Sequence, residues 1–234
     1  MFKRFIKSIL KKLGYDLRRI DTDREEAPRY ALYPYLKRDG SFDYESYCEI
    51  QEAGNKKKID TVWVIEDNIA FLSQYIRNLV QTPRFGICHG TRRGKEQEWF
   101  RKYLDCEVIG TEISDTAESF PNTIQWDFHE VKLEWKDSAD FIYSNSFDHS
   151  YDPEKCLNAW MRCLKKDGLC IIEHCSSDDA RHSSELDPFK ADIFIMPYLI
   201  TTWGNGKYYV REMLAAPTRG KGIRYQNYIV VQRL

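Results

Sequence analysis

The sequence predicts an α/β fold: a Rossmann-like, seven-stranded sheet, mostly parallel, with helices on both faces and an antiparallel C-terminal hairpin. Three observations predict it. From Pro83 onward, short apolar runs alternate with helix-length amphipathic segments. Such alternation yields parallel strands joined by crossover helices that cover both faces of a sheet. A glycine turn, Gly90 to Gly94, follows the first of these runs. The last two runs are joined by a connection too short for a parallel crossover, so they pair as a hairpin.

Length and composition bound the rest. A chain of 234 residues holds one sizeable domain with attachments, and 14% aromatic content gives it core enough to stay folded. The formal net charge of −1 hides a basic head on a mildly acidic body. In the first twenty residues Lys3, Arg4, Lys7, Lys11, Lys12, Arg18 and Arg19 stand against Asp16 alone. A nucleic-acid partner would want its basic face on the folded domain, so none is expected. Seven cysteines form no CxxC pair, and the even spacing of Cys156, Cys163 and Cys170 crosses a predicted helix and the next strand. They read as reduced thiols of a cytoplasmic protein, with no metal site expected.

Residues 1–20 place Phe2, Phe5, Ile6, Ile9, Leu10 and Leu13 at helical spacing with lysines and arginines opposite. This is a basic amphipathic helix, suited either to an anionic inner-membrane surface or to packing on protein. Lysines interrupt the apolar pairs, so it is no membrane span. Residues 21–60 are polar and read as a linker and N-terminal extension, with Tyr30, Tyr33, Tyr35 and Leu36 docking somewhere. The main domain is assigned to 61–234. It opens on a helix carrying Ile69, Leu72, Ile76 and Leu79, with Asp67 as its expected N-cap.

The core elements follow in order. "RFGIC" (84–88) is the first strand, "KEQEWFRKYL" (95–104) a helix, "EVIGTEI" (107–113) a strand, "TIQWDF" (123–128) another and "ADFIYSNS" (139–146) a fourth. "PEKCLNAWMRCL" (153–164) is a helix with Asp152 as N-cap, Pro153 in its first turn and Gly168 beyond its end. "GLCIIEH" (168–174) is the fifth strand, and "KYYVREML" (207–214) with "YQNYIVVQRL" (225–234) make the hairpin.

In such sheets ligands bind at the carboxyl ends of the strands, near the reversal in strand order. Three strand ends carry a graded set of groups. His89-Gly90-Thr91-Arg92-Arg93-Gly94 is a turn whose glycines suit positive φ or close ligand approach. Glu112, 22 residues after Gly90, is placed to accept hydrogen bonds from ribose hydroxyls, with Ile113 beside it. Trp126-Asp127-Phe128 offers an acceptor for an adenine amino group between two aromatic rings. The set points to an adenosine-containing cofactor.

From here a resemblance is visible. Residues 83–234 resemble the class I S-adenosylmethionine-dependent methyltransferases, whose cofactor loop reads acidic-x-Gly-x-Gly-x-Gly. Gly90 and Gly94 match the first and third glycines, while Cys88 stands in the acidic place and Arg92 in that of the middle glycine. Glu112 matches the ribose-binding acid and Asp127 the adenine-side acid. "DFIYSNSFDHSYDP" and "LKKDGLCIIEH" resemble the family's segments after strand four and before strand five. The loop is similar to that of a bacterial subgroup with CHGxRxG. The resemblance implies S-adenosylmethionine as cofactor, S-adenosylhomocysteine as product, and cofactor contacts from Cys88, His89, Gly90, Thr91, Arg92, Gly94, Glu112, Ile113, Trp126, Asp127, Phe128 and Asn145. The family acid missing at Cys88 ordinarily orients the loop or the methionine amine. Arg92 is expected to point outward or to reach the methionine carboxylate.

For transfer to a hydroxyl, His149 is the expected base, with Asp148 orienting it or acting instead; His174 is second choice. The acceptor site is expected within 176–206, for a small molecule or glycan. A sugar O-methyltransferase in cell-surface polysaccharide synthesis, held at the inner membrane by residues 1–20, is the specific expectation. Two other readings fit the architecture: an NAD-dependent oxidoreductase, and a non-catalytic membrane-associated scaffold.

Overall fold

The structure, a computed structural model, describes residues 30–178 and 183–234. The amphipathic segment 1–20 and its expected membrane contact lie outside the described residues. The main sheet contains β2 (Phe85–His89), β3 (Glu107–Glu112), β4 (Thr123–Gln125), β5 (Ala139–Ser144), β6 (Leu164–Cys175), β8 (Tyr208–Ala215) and β9 (Gln226–Arg233). Their order is β4-β3-β2-β5-β6-β9-β8. The first five are parallel; β9 runs antiparallel between β6 and β8. This is the predicted fold class, hairpin included.

Two-residue periodicity explains why both faces are covered. Ile87, Ile142, Cys170, Ile172, Ile229 and Val231 point to one core. Cys88, Phe141, Tyr143, Leu169, Ile171, Tyr228 and Val230 alternate with them and point to the other. A strand buried on both sides must be apolar at nearly every position, which is why these runs read as continuous in sequence. Helices α2 (Glu66–Leu79) and α3 (Lys95–Leu104) close the second face; α4 (Pro153–Cys163) and α5 (Met196–Gly204) close the first. No helix among the described residues is long and apolar enough to cross a membrane.

Local boundaries differ from expectation in four places. Helix α2 starts at Glu66 behind an extended Ile65 that makes no side-chain cap, so Asp67 is not its N-cap. With Glu66 it instead puts negative charge in the first turn, where the helix dipole favours it. Helix α4 keeps its Asp152 cap, which accepts from the Lys155 amide, but passes into β6 at Leu164, four residues before Gly168. Strand β4 stops at Gln125, leaving Trp126 to Phe128 in the turn beyond. Residues 30–57 are ordered: β1 (Tyr30–Leu32) pairs antiparallel with β7 (Phe189–Ala191), and Tyr44–Lys57 forms α1.

The strand order reverses between β2 and β5, so the loops after these two strands flank a crevice. Helix α1 lies over that crevice.

Candidate functional site

The turn after β2 is built on left-handed backbone. Gly90, Arg92 and Gly94 have φ of 73°, 39° and 72°. The amides of Gly90 and Thr91 both donate to the Thr111 carbonyl, 2.9 and 3.0 Å away, which fastens the turn to β3. A Cβ on Gly90 would lie 2.6 Å from that of Ser146, so only glycine fits there. Arg92 holds its conformation at a cost on the order of 1 kcal/mol. Its backbone amide donates to Glu112 (3.1 Å), and its guanidinium donates to the Thr61 carbonyl (3.0 Å).

Glu112 is buried at the end of β3 and also accepts from the Ser114 amide at 3.2 Å. Burial pushes its carboxyl above the usual range, held back by these two amides. Around it stand Ile113, Trp126 and Phe128, which with Gly90, Arg92 and Thr111 line a first cavity. Its other wall is α1, through Tyr47, Gln51, Gly54, Asn55 and Lys58. The cavity is narrow, about 60 Å³, room for roughly four waters.

A second cavity of about 480 Å³ opens beside it, in the size range of small-molecule sites. Thr91, Asn145, Asp148, Glu173, Asp178, Asp187 and Lys190 contribute to its wall. Five residues line both cavities: Lys58, Gly90, Arg92, Ser146 and His149.

His149 therefore sits where the two spaces meet. The Gln51 amide nitrogen donates to the Glu185 and Leu186 carbonyls at 3.1 and 3.2 Å, which turns its oxygen toward His149. His149 Nδ1 lies 2.7 Å from that oxygen and so carries the proton. Nε2 is left as the acceptor, with Asp187 and Asp148 oxygens at 3.8 and 3.9 Å. Asp148 is itself bound by the buried Lys190 ammonium at 3.1 Å, which also lies 3.6 Å from Asp178. Ligand-type atoms of Asp148, His149 and Asp187 fall within 4.8 Å of one another, but Lys190 already supplies the positive charge there.

Four residues expected at the cofactor do not line either cavity. Cys88 points into the apolar core between the sheet and α2–α3. His89 stacks on Trp160, with centroids 4.8 Å apart, and its Nδ1 meets the Thr111 hydroxyl at 2.8 Å. Gly94 serves as the N-cap of α3. Asp127 is engaged three times, by Tyr44 Oη (2.8 Å), the His129 amide (2.9 Å) and His129 Nδ1 (2.7 Å). Burial raises its carboxyl, but these bonds outweigh burial and hold it below the usual range. His129 is completed by the Ser150 hydroxyl at 2.8 Å; because Ser150 is fully buried, the Ser150–His129–Asp127 chain fastens a turn. His174, second choice as base, donates from Nε2 to the Ala191 carbonyl at 2.8 Å, from a buried position outside both cavities.

The sequence reading missed Tyr47, Gln51 and Asn55, the buried stripe of α1. Their signal was spacing, at i, i+4 and i+8, but two of the three are polar and do not register as an apolar face.

Residues 87–172 match the family model described as "Methyltransferase domain". No curated protein matches the chain in sequence. Among solved structures, the 1,6-didemethyltoxoflavin-N1-methyltransferase of Burkholderia thailandensis, with bound 1,6-didemethyltoxoflavin and S-adenosylhomocysteine, is 12% identical. It covers 88% of this chain and 96% of its own, with a TM-score of 0.63. The plantazolicin methyltransferase BpumL, with a triazolic substrate analog and S-adenosylhomocysteine, is 12% identical over 81% of this chain and 96% of its own (TM-score 0.61). The [4+2]-cyclase SpnF is 9% identical over 70% of this chain and 80% of its own (TM-score 0.53). At these identities the likeness is one of fold.

Proposed function

We propose that the chain is a class I S-adenosylmethionine-dependent methyltransferase, a reading supported by the methyltransferase-domain match over residues 87–172 and by the shared fold, and that it transfers the cofactor's methyl group to a hydroxyl of a small polar acceptor. The observation that carries this reading is the position of His149, on the shared wall of two cavities of different character. One has an acid and aromatic rings fit for a nucleoside. The other is polar, with carboxylates and a lysine fit for a ligand bearing several hydroxyls.

The residues present suit the cofactor. Glu112 would offer the ribose its remaining acceptor capacity, Trp126 and Phe128 would cover the base, and Gly90, Arg92 and Asn145 would hold the amino-acid end. When bound, the cofactor supplies an electrophilic methyl on a sulfonium. The chain's own task is to aim the acceptor oxygen at that carbon and to take its proton. His149 Nε2, free because Nδ1 is held by Gln51, would take the acceptor hydroxyl's proton as that oxygen accepts the methyl group. Asp148 and Asp187 oxygens stand 3.9 and 3.8 Å from that nitrogen.

The acceptor we favour is a sugar hydroxyl, within cell-surface polysaccharide synthesis. The polar second cavity supports the sugar, and the basic amphipathic residues 1–20 support a membrane-proximal setting. Replacing His149 by Ala tests the mechanism. Affinity for S-adenosylhomocysteine, measured by calorimetry, stays within about threefold, while transfer of labelled methyl to acceptors in a host extract falls about 10²–10⁴-fold. An active His149→Ala enzyme would remove His149 as the base. Label appearing on an amine, and not on a sugar, would remove the acceptor.

A further inference from the structure

Glu96 is a charge without an evident purpose in the protein alone. It stands in the first turn of α3, two residues after the glycine turn, and its side chain is directed into the wall of the larger cavity. It is 6% exposed. Its one side-chain partner is neutral: Asn145 Nδ2 donates to Oε1 at 3.2 Å. Among the described residues it makes no ion pair. A carboxylate buried this deeply is costly unless a cation neutralises it.

Its surroundings specify the cation. Arg92 lies on the same turn and lines the same cavity, yet does not pair with Glu96. Arg92, Arg93, Lys58 and Lys95 line the cavity together with Glu96 and the polar amide of Asn145. Along residues 92–96 of that lining, Glu96 stands beside Arg92, Arg93 and Lys95, and a carboxylate set among cations complements a zwitterion, an α-ammonium beside an α-carboxylate. Glu96 also neighbours Cys88: its negative charge, after burial, helps to push the Cys88 thiol up. The acid that the related loop pattern carries at position 88 is thus restored in space from the next helix.

We propose that Glu96 is the residue that binds the α-ammonium of the cofactor's methionine moiety, with Asn145 holding its carboxylate in place. The inference rests on the cofactor reading given under Proposed function. It also explains how a loop with cysteine in the acidic place keeps its anionic contact.

Calorimetry with S-adenosylhomocysteine and with 5′-methylthioadenosine, which lacks the amino-acid end, tests it. Glu96→Gln weakens S-adenosylhomocysteine about 10–100-fold, the range of a lost charge-assisted pair, and leaves methylthioadenosine unchanged. Equal binding of S-adenosylhomocysteine by both proteins overturns the proposal, as does parallel loss of both ligands in a variant with native circular dichroism. Should the variant not fold, the wild-type protein decides: removing the α-amino group from S-adenosylhomocysteine must cost the same 10–100-fold, and equal affinity overturns the assignment. Wild-type protein that binds no S-adenosylhomocysteine at all overturns the cofactor reading itself.

Discussion

Arg92 shows how one residue can depart from a pattern and keep its geometry. It stands in the place of a glycine and adopts a glycine-like φ of 39°. The turn is held by the amides of Gly90 and Thr91 on Thr111 and by the Arg92 amide on Glu112, all backbone donors that any residue supplies. The side chain is thereby free to bridge to Thr61 and face the cavities. Glu96 makes a prediction at the same scale. Burial pushes its carboxyl from 4.5 up to about 7. The unfolded chain releases this proton near pH 4.5, the folded chain only near 7. Stability from the neutral form is therefore complete below pH 4.5 and is lost as pH rises through 7. Glu96→Gln removes that loss, so its stability relative to wild type improves between pH 5 and pH 8, by on the order of 1–3 kcal/mol. His89 is present in both proteins and cancels in the difference, while the repulsion between Glu173 and Glu96 disappears with the carboxylate and adds to the gain. Thermal melts at the two pH values check it, and a pH-independent difference would show that Glu96 is already neutralised in the folded chain.

At the scale of elements, α1 is the part that sequence concealed. Its inward stripe is Tyr47, Gln51 and Asn55, a face turned to a polar site and so poor in the apolar repeat that marks a helix. Its start was legible: Asp43 caps it by accepting from the Ser46 amide. Tertiary contacts hold it down: Tyr44 to Asp127, Gln51 to His149, Asn55 to the Thr116 hydroxyl, and Lys56 to Asp115. Most of these are polar links at the surface of the helix, and its apolar anchor is Tyr47, packed among Tyr35, His129 and Tyr151. The first cavity beneath it is narrow, about 60 Å³, and α1 forms its outer wall. Tyr44→Phe cuts the link to Asp127. Amides of α1 then exchange faster by roughly three- to tenfold, an opening made easier by about 1 kcal/mol. Those of β2 and β5 do not change. Hydrogen exchange read by mass spectrometry checks this, and equal exchange in α1 would show that Tyr44 is no latch.

At the scale of the whole molecule, the charge split of the sequence calls for its own test. The chain from residue 21 onward is acidic, so any attraction to an anionic bilayer must come from residues 1–20. Flotation with vesicles containing phosphatidylglycerol is expected to carry full-length protein but not residues 21–234, and to weaken as salt rises. Equal flotation of both would dismiss a membrane role for the head. The sequence by itself determined the sheet. Seven runs with the right periods, joined by crossovers or by a short link, leave few ways to bury both faces, and the observed order is among them. It also singled out the strand ends that line the two cavities: Gly90 and Trp126 follow their strands directly, Glu112 ends its own, and His149 lies in the loop after β5. Only the tertiary structure decided which of those groups remain available. Asp127 is taken up by Tyr44, Cys88 by the core, and the Nδ1 proton of His149 by Gln51, in each case through a partner distant in sequence or on another layer. A hydrogen bond or a buried contact is a fact of three-dimensional proximity. Periodicity fixes the face a side chain points to, whereas the neighbour it meets there comes from another part of the chain.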